Sequence, residues 1–214
     1  MANPNLSHLV FLLDRSGSMQ SIKSDVIGGF HAFLAEQREA DGECVVTLAQ
    51  FDDHYDIVYR GVPLGQVPPL ELSPRGCTAL LDSMGKLITD TAAEIDTLSE
   101  DEKPGTVVVA IMTDGLENAS IEWRRPAIKS LVEQQTNEHG WAFLYMGTDQ
   151  DAVEVGGGLG VKAEQSVSYA RGKSREAWVA ASGNVRRYRG DKLLDVDAVM
   201  PEFTSEQRSE LSND

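Results

Sequence analysis

Short apolar runs alternate along the chain with longer segments in which apolar residues recur at helical spacing. Four predominantly apolar runs have the length of strands that are buried on both faces. They cover residues 8–13, 44–51, 107–112 and 141–146. A run over 57–59 follows a polar turn and predicts an antiparallel hairpin with the second strand, and a short last strand is expected over 167–169.

Between these strands, apolar residues recur every three to four positions, which indicates helices with one buried face. The stripes begin near Ile22, Leu80, Ile128 and Trp178. The order β-α-β-β-α-β-α-β-α-β-α predicts an α/β domain, in which helices cover both faces of a mostly parallel sheet with one antiparallel edge strand. The glycine-rich segment 156–160 does not follow a strand, so it is interpreted as the end of a short helix and not as a phosphate-binding loop.

The length of 214 residues suits one domain. We assign residues 1–192 to that domain. Residues 193–214 are acidic and weakly patterned, and we expect them to form a tail that is frayed or holds one short helix near Ser205.

Charge and cysteine content exclude several classes of protein. The chain has 34 acidic and 19 basic residues and a net charge of −15, which argues against nonspecific binding to nucleic acid or to anionic membranes. Cys44 and Cys77 have no partners at zinc-binding spacing and form no disulfide framework. The first apolar run ends in Asp14 and lacks a basic region before it, so it predicts a strand and not a signal peptide. A cytoplasmic location is the resulting expectation.

Oxygen-bearing side chains follow two of the predicted strands. Asp14, Ser16 and Ser18 come directly after the first strand, and Gly17 allows a turn between the hydroxyls. Asp114 follows the strand over 107–112, and Thr78 begins a helix after a long connection rich in proline and glycine. Ligands of open α/β sheets bind at the carboxyl ends of strands, and hydroxyl and carboxylate oxygens suit a cation such as Mg²⁺. The sequence therefore predicts a metal site at this edge.

Three motifs together resemble the metal-ion-dependent adhesion site of the von Willebrand factor type A (VWA) domain. They are Asp14-Arg-Ser16-Gly-Ser18, Gly76-Cys-Thr78-Ala-Leu and Thr113-Asp114-Gly115. The resemblance extends from about residue 6 to 190 and implies a Rossmann-like, three-layer α/β/α fold. The segments Phe51-Asp-Asp and Tyr145-Met-Gly-Thr-Asp-Gln-Asp-Ala are similar to those of small, stand-alone, mostly bacterial members.

The resemblance also implies how the site binds a metal ion and a partner protein. Ser16 and Ser18 would bind Mg²⁺ directly, with Mn²⁺ or Ca²⁺ as substitutes, and Thr78 would bind it directly or through water. Asp14 and Asp114 would act through water or orient the hydroxyls. The open position on the cation would accept an Asp or Glu of a partner protein. We thus expect a metal-dependent protein-binding module, an intracellular adaptor or assembly component, and not an enzyme.

Five residues flank the strand ends and are predicted to form a partner-binding rim. They are Arg15, Met19, Glu117, Asp149 and Gln150. The basic residues between 171 and 192 are interpreted chiefly as a solvated helix face, with a docking surface for an acidic partner as the alternative.

Two alternative functions stay open. A phosphatase-like metal-dependent hydrolase would need a second acid where Ser16 stands, and the four histidines form no convincing Ser-His-Asp set. The second alternative is a metal ion that only stabilises the fold. Asp52, Asp53 and Asp56 with His54 lie in the predicted hairpin turn, where solvated acids are a better explanation than a second metal.

Overall fold

Six strands form one sheet that is covered by helices, and the computed structural model describes residues 2–148 and 150–212. The strands are β1 (Asn3–Asp14), β2 (Glu43–Phe51), β3 (Tyr55–Pro63), β4 (Pro104–Thr113), β5 (Ala142–Thr148) and β6 (Ser166–Tyr169). The helices are α1 (Lys23–Arg38), α2 (Leu80–Thr97), α3 (Arg125–His139), α4 (Ala152–Gly158), α5 (Ser174–Leu194) and α6 (Ser205–Ser212).

The order of strands across the sheet is β3-β2-β1-β4-β5-β6. Only β2 and β3 are antiparallel among these neighbours, and the other four pairs are parallel. The predicted α/β class, the antiparallel edge hairpin and the alternation of strands and helices are confirmed. In the register of β1 and β4, Leu13 lies beside Met112, so Asp14 and Thr113 end these two central strands side by side.

The sheet separates two hydrophobic cores. Under α1 and α5, the ring of Phe11 meets those of Phe30, Phe33 and Trp178 edge-on, with centroids 5.0, 5.2 and 5.8 Å away. Under α2 and α3, apolar residues of those helices cover Val10, Leu12 and the alternate positions of β4. Burial on both faces explains why the strands are continuous apolar runs in the sequence.

Residues 193–212 pack against the edge of the sheet. Met200, Phe203 and Leu211 are buried in the core under α1 and α5. The Phe203 amide donates to the Glu164 carbonyl at 2.9 Å, and the Leu211 carbonyl accepts from the Ala170 amide at 2.8 Å. This segment therefore adds apolar contacts to the domain.

Among the described residues, no helix has both the length and the apolar character needed to cross a membrane.

The contact between α1 and α5 depends on a glycine. A Cβ atom on Gly29 would lie 2.5 Å from Trp178 Cδ1, whereas one on the neighbouring Gly28 would meet nothing within 4 Å. We expect Gly29→Ala to destabilise the domain by roughly 1–3 kcal/mol, because the tryptophan must move. The matched Gly28→Ala should be neutral or stabilising by up to about 1 kcal/mol through helix propensity. Urea denaturation measures both, and equal effects would contradict this packing.

A buried histidine predicts how stability changes with pH. His8 Nε2 lies 2.8 Å from Thr47 Oγ1, and burial lowers the pKa of His8 from 6.5 to about 4. The unfolded chain therefore binds a proton more readily than the folded one. The contribution of neutral His8 to the free energy of unfolding is fully present above pH 6.5. It decreases as the pH falls towards 4, by roughly 3 kcal/mol. Urea midpoints measured across this range should show that His8→Gln removes this component of the loss. The exposed His139→Gln should leave it unchanged, and identical pH profiles for wild type and His8→Gln would contradict the assignment.

Candidate metal centre

Three loops meet at the carboxyl ends of β1 and β4. Loop 1 comprises residues 14–18, loop 2 residues 75–79 and loop 3 residues 113–123. Loop 1 follows β1, loop 3 follows β4, and loop 2 leads into α2. The parallel pairing of β1 with β4 brings loops 1 and 3 together, and loop 2 lies against both.

Three hydroxyl groups from loops 1 and 2 converge on a single small space. A Cβ atom built on Gly115 would lie 3.1 Å from Thr78 Oγ1, 3.8 Å from Ser18 Oγ and 4.0 Å from Ser16 Oγ. The two serine hydroxyl oxygens are 3.1 Å apart. Because Gly115 has no side chain, the space that the three oxygens share is left open by loop 3.

Two buried carboxylates lie next to these hydroxyls. Asp14 is 0% exposed and accepts hydrogen bonds from the Ser16 amide and from Thr113 Oγ1, each at 2.6 Å. Burial raises the pKa of Asp14 to about 6, although the bonds from Thr113 and Ser16 act in the opposite direction. Asp114 is also buried and accepts from Ser18 Oγ at 2.5 Å.

The donor set fits a hard divalent cation. All five residues predicted as ligands, Asp14, Ser16, Ser18, Thr78 and Asp114, lie at this edge of the sheet and offer only oxygen atoms. Hydroxyl and carboxylate oxygens suit Mg²⁺, Mn²⁺ or Ca²⁺ better than the softer metals that prefer thiolate or imidazole. Two carboxylates held in a site of low dielectric also attract a cation strongly.

Loops 2 and 3 are joined by reciprocal hydrogen bonds. The Thr78 amide donates to Asn118 Oδ1 at 2.9 Å, and the Asn118 amide donates to the Thr78 carbonyl at 3.0 Å. Asp82 in the first turn of α2 accepts from the amides of Ile121 and Trp123 at 2.8 and 2.7 Å. These bonds fix the position of Thr78 in loop 2 relative to Asp114 in loop 3.

Glu117, which was predicted as a rim residue, contributes to the same junction. Its carboxylate accepts from the Leu81 amide at 2.8 Å, the Ala119 amide at 2.9 Å, the Ser120 amide at 2.7 Å and the Ser120 hydroxyl at 2.7 Å. A carboxylate that bonds an amide in the first turn of α2 satisfies a helix end and favours its dipole.

The other predicted rim residues also have internal partners. Arg15 is only 11% exposed, and its guanidinium bonds Asp52 and Asp56. Met19 is 0% exposed, because the short 3₁₀ turn over Gly17–Ser21 directs it into the core. Gln150 Oε1 accepts from the Tyr145 hydroxyl at 3.3 Å, and Asp149 lies outside the described residues.

Two exposed residues beside the centre are not among those that the sequence singled out as a rim. Leu116 follows Gly115 directly and is 56% exposed. Arg171 follows β6, is 45% exposed, and places Nη2 3.9 Å from Asp114 Oδ2 while Nη1 donates to Ser21 Oγ at 2.7 Å. Leu116 could have been identified from the sequence, because it directly follows the Thr113-Asp-Gly motif. Arg171 was grouped with the basic helix face, although the last strand was expected to end at residue 169, two positions before it.

A second acidic group lies at the β2–β3 turn. Potential ligand atoms of Asp52, Asp53 and His54 are within 4.8 Å of one another. However, Asp52 is 0% exposed, unlike the solvated acid that was expected, and its Oδ2 accepts from Arg75 Nε at 2.7 Å and Arg15 Nε at 3.0 Å. Two guanidinium groups on one carboxylate oxygen oppose the binding of a further cation there.

Comparison with known proteins identifies the fold. No protein-family model and no curated protein sequence matches this chain. Among solved structures, proximal thread matrix protein 1 from the mussel byssus is 14% identical with a TM-score of 0.58, over 87% of this chain and 47% of that one. A von Willebrand factor type A protein from Catenulispora acidiphila is 13% identical with a TM-score of 0.54, over 90% of this chain and 43% of that one.

The vWF domain of a type V pilus tip protein from Porphyromonas gingivalis is 10% identical with a TM-score of 0.60, over 85% of this chain and 95% of that domain. This chain spans less than half the length of the mussel and Catenulispora proteins. The protein is thus an α/β domain with an oxygen-lined centre at its strand ends. More particularly, it has the VWA fold, as the sequence motifs predicted. One structure of the mussel protein has a zinc-occupied MIDAS motif, the metal-ion-dependent adhesion site of these domains.

The role of Glu117 can be tested by mutation. We expect Glu117→Ala to destabilise the domain by about 1–3 kcal/mol, because three backbone amides and one hydroxyl lose their acceptor. The control is Glu122→Ala, five residues along in the same loop, where the side chain is exposed. Urea denaturation compares the two variants, and a loss no larger than that of the control would contradict the junction.

Proposed function

We propose that this protein is a metal-dependent protein-binding module, in which a bound divalent cation accepts an acidic residue of a partner protein. The convergence of Ser16, Ser18 and Thr78 hydroxyls on one space beside Gly115 carries this proposal. The VWA fold of the chain, and the metal site known in the mussel protein of the same fold, support it.

The residues divide into ligands and groups that orient ligands. Ser16, Ser18 and Thr78 would hold Mg²⁺, or Mn²⁺ or Ca²⁺ in its place. Asp14 would hold the Ser16 amide and Asp114 the Ser18 hydroxyl, as their hydrogen bonds support. The bound cation supplies a Lewis-acidic position for a carboxylate oxygen. Three neutral hydroxyl ligands leave most of its charge uncompensated, which favours an incoming Asp or Glu.

The surroundings favour an acidic residue at this one place. The chain has a net charge of −15, so most of its surface would repel an acidic partner. Arg171 adds a positive charge beside Asp114, and Leu116 adds an exposed apolar side chain next to Gly115. We infer that the partner presents a carboxylate beside an apolar residue. We propose Leu116 and Arg171 as rim residues in addition to those predicted from the sequence.

A binding role is favoured over hydrolysis by the positions of the histidines. His8 bonds Thr47, His31 Nε2 accepts from the Leu70 amide, and His54 lies against Asp52 and Asp53. His139 is exposed at the end of α3. A serine nucleophile needs a general base within hydrogen-bond reach, and the histidines that would supply it are placed elsewhere. A metal-dependent phosphatase would need a second acid where Ser16 stands, so we propose that the protein is not an enzyme. The intracellular location remains a prediction.

Metal binding is the first test of this function. Calorimetric titration with Mg²⁺ and then Mn²⁺ should give one site in the wild type, and Asp114→Asn and Ser18→Ala should weaken it at least tenfold. Saturation with cation at about 100 times the dissociation constant should stabilise the wild type by about 2.7 kcal/mol. Ser212→Ala on α6 is the control and should bind as the wild type does. Absence of binding by the wild type would overturn the metal centre.

Partner capture separates the binding function from a structural metal. Affinity capture in Mg²⁺ should retain a protein that is lost with EDTA and with Asp114→Asn. The same proteins retained under all three conditions would contradict the bridging role and favour a structural metal. Phosphatase activity that is lost in Ser16→Ala would instead favour a hydrolase.

A further inference from the structure

A buried carboxylate outside the metal centre holds loops 1 and 2 together. Asp52 follows β2 and is 0% exposed. Its Oδ2 accepts from Arg75 Nε at 2.7 Å and from Arg15 Nε at 3.0 Å, and its Oδ1 accepts from the His54 amide at 2.7 Å. Arg15 immediately precedes Ser16, and Arg75 lies three residues before Thr78. The Asp52 carboxylate thus bonds an arginine of loop 1, which carries Ser16 and Ser18, and an arginine of loop 2, which carries Thr78.

The backbone repeats this connection. The Arg75 amide donates to the Arg15 carbonyl at 2.8 Å, and the Gly17 amide donates to the Gly76 carbonyl at 3.3 Å. The Asp52 carbonyl accepts from the Ala79 amide at 2.8 Å. Asp52 therefore holds loop 2 through its side chain before Thr78 and through its main chain after it.

Gly76 allows loop 2 to approach this carboxylate. It has φ of +67°, and a Cβ atom there would lie 2.1 Å from Asp53 Oδ1 and 3.4 Å from Asp52 Cβ. A side chain at this position would force the Asp53 carboxylate to move. Close contact and a left-handed backbone together require glycine.

The carboxylate is ionised and engaged in hydrogen bonds. Burial raises the pKa of Asp52, but the bonds from Arg75, the His54 amide and Arg15 outweigh it, so the pKa lies below its ordinary value. Both oxygens accept hydrogen bonds from the protein, and two guanidinium groups flank one of them. These contacts are those of a structural anchor and not of a metal ligand.

We propose that Asp52 is the positioning residue of the metal centre, which sets the separation between the serine hydroxyls of loop 1 and Thr78 of loop 2. This inference rests on the proposed metal-binding function. Mg²⁺ requires near-octahedral oxygens at about 2.0–2.1 Å, so a small displacement of either loop removes a ligand from reach. Outer residues that hold ligands in other metal sites typically contribute 10–100-fold to affinity.

The test measures Mg²⁺ affinity and metal-free stability separately in the full chain. We expect Asp52→Asn to weaken Mg²⁺ binding by about 10–100-fold at unchanged stoichiometry. Arg75→Met removes the same anchor from the side of loop 2, and because Arg75 is 61% exposed this variant should fold normally while it also weakens binding. Combined, the two substitutions should weaken binding no more than Asp52→Asn alone, since they remove one interaction.

Asp90→Asn is the matched control. Asp90 also pairs with an arginine, Arg60, at 3.2 Å, but on α2 away from the loops, so Mg²⁺ affinity should stay within about twofold of the wild type. Thermal melting in EDTA reports the structural cost of each variant. If Asp52→Asn lowers the melting temperature in EDTA but binds Mg²⁺ as the wild type does, the positioning role is overturned.

Four further outcomes are informative, and together they separate this inference from the proposed function. If the wild type binds two Mg²⁺ ions and Asp52→Asn binds one, Asp52 is itself a ligand and the positioning role is wrong. If the wild type binds no Mg²⁺, the proposed function is overturned, and this inference is overturned with it. If the wild type binds and Arg75→Met is indistinguishable from it, the metal centre stands and the anchor does not. If Asp52→Asn fails to fold, Arg75→Met decides the question.

Discussion

The parallel pairing of β1 with β4 is the constraint on which the centre depends. It places Asp14 and Thr113 at the ends of neighbouring strands, where Thr113 Oγ1 donates to Asp14 at 2.6 Å. Both strands are buried on both faces, so a shift in their register would move side chains into the wrong core and separate the two loops. The hydrophobic cores thereby fix the positions of polar groups that lie outside them.

Burying carboxylates is costly, and this protein offsets the cost by hydrogen bonds from its own loops. Asp14 holds an amide and a hydroxyl, Glu117 holds three amides and a hydroxyl, and Asp52 holds two arginines and an amide. Each acid connects two segments that are far apart in the chain. The acids around the centre therefore act mainly as connectors, and the hydroxyls they orient are the groups left to face a ligand.

Much of the fold was predictable, because the patterns that define it are local. The apolar runs of β1, β2, β4 and β5 and the helical stripes of α1 and α2 each specify an element and its buried face. The hairpin of β2 and β3 was predictable from its short polar turn. The five candidate ligands could be grouped in advance because each follows a strand or lies next to a helix start, and loops at those positions meet at one edge of a parallel sheet.

The sequence by itself determined the α/β class and the five oxygen donors. Tertiary structure alone decided how their neighbours are used: Met19 packs in the core, Arg15 bonds Asp52, Glu117 holds the start of α2, and Arg171 lies beside Asp114. It also packed α6, within the segment predicted as a tail, against β6. The physical reason is the range of the interactions. Periodicity reports which face of an element is buried, whereas the partner of a charged side chain depends on segments brought together only by folding.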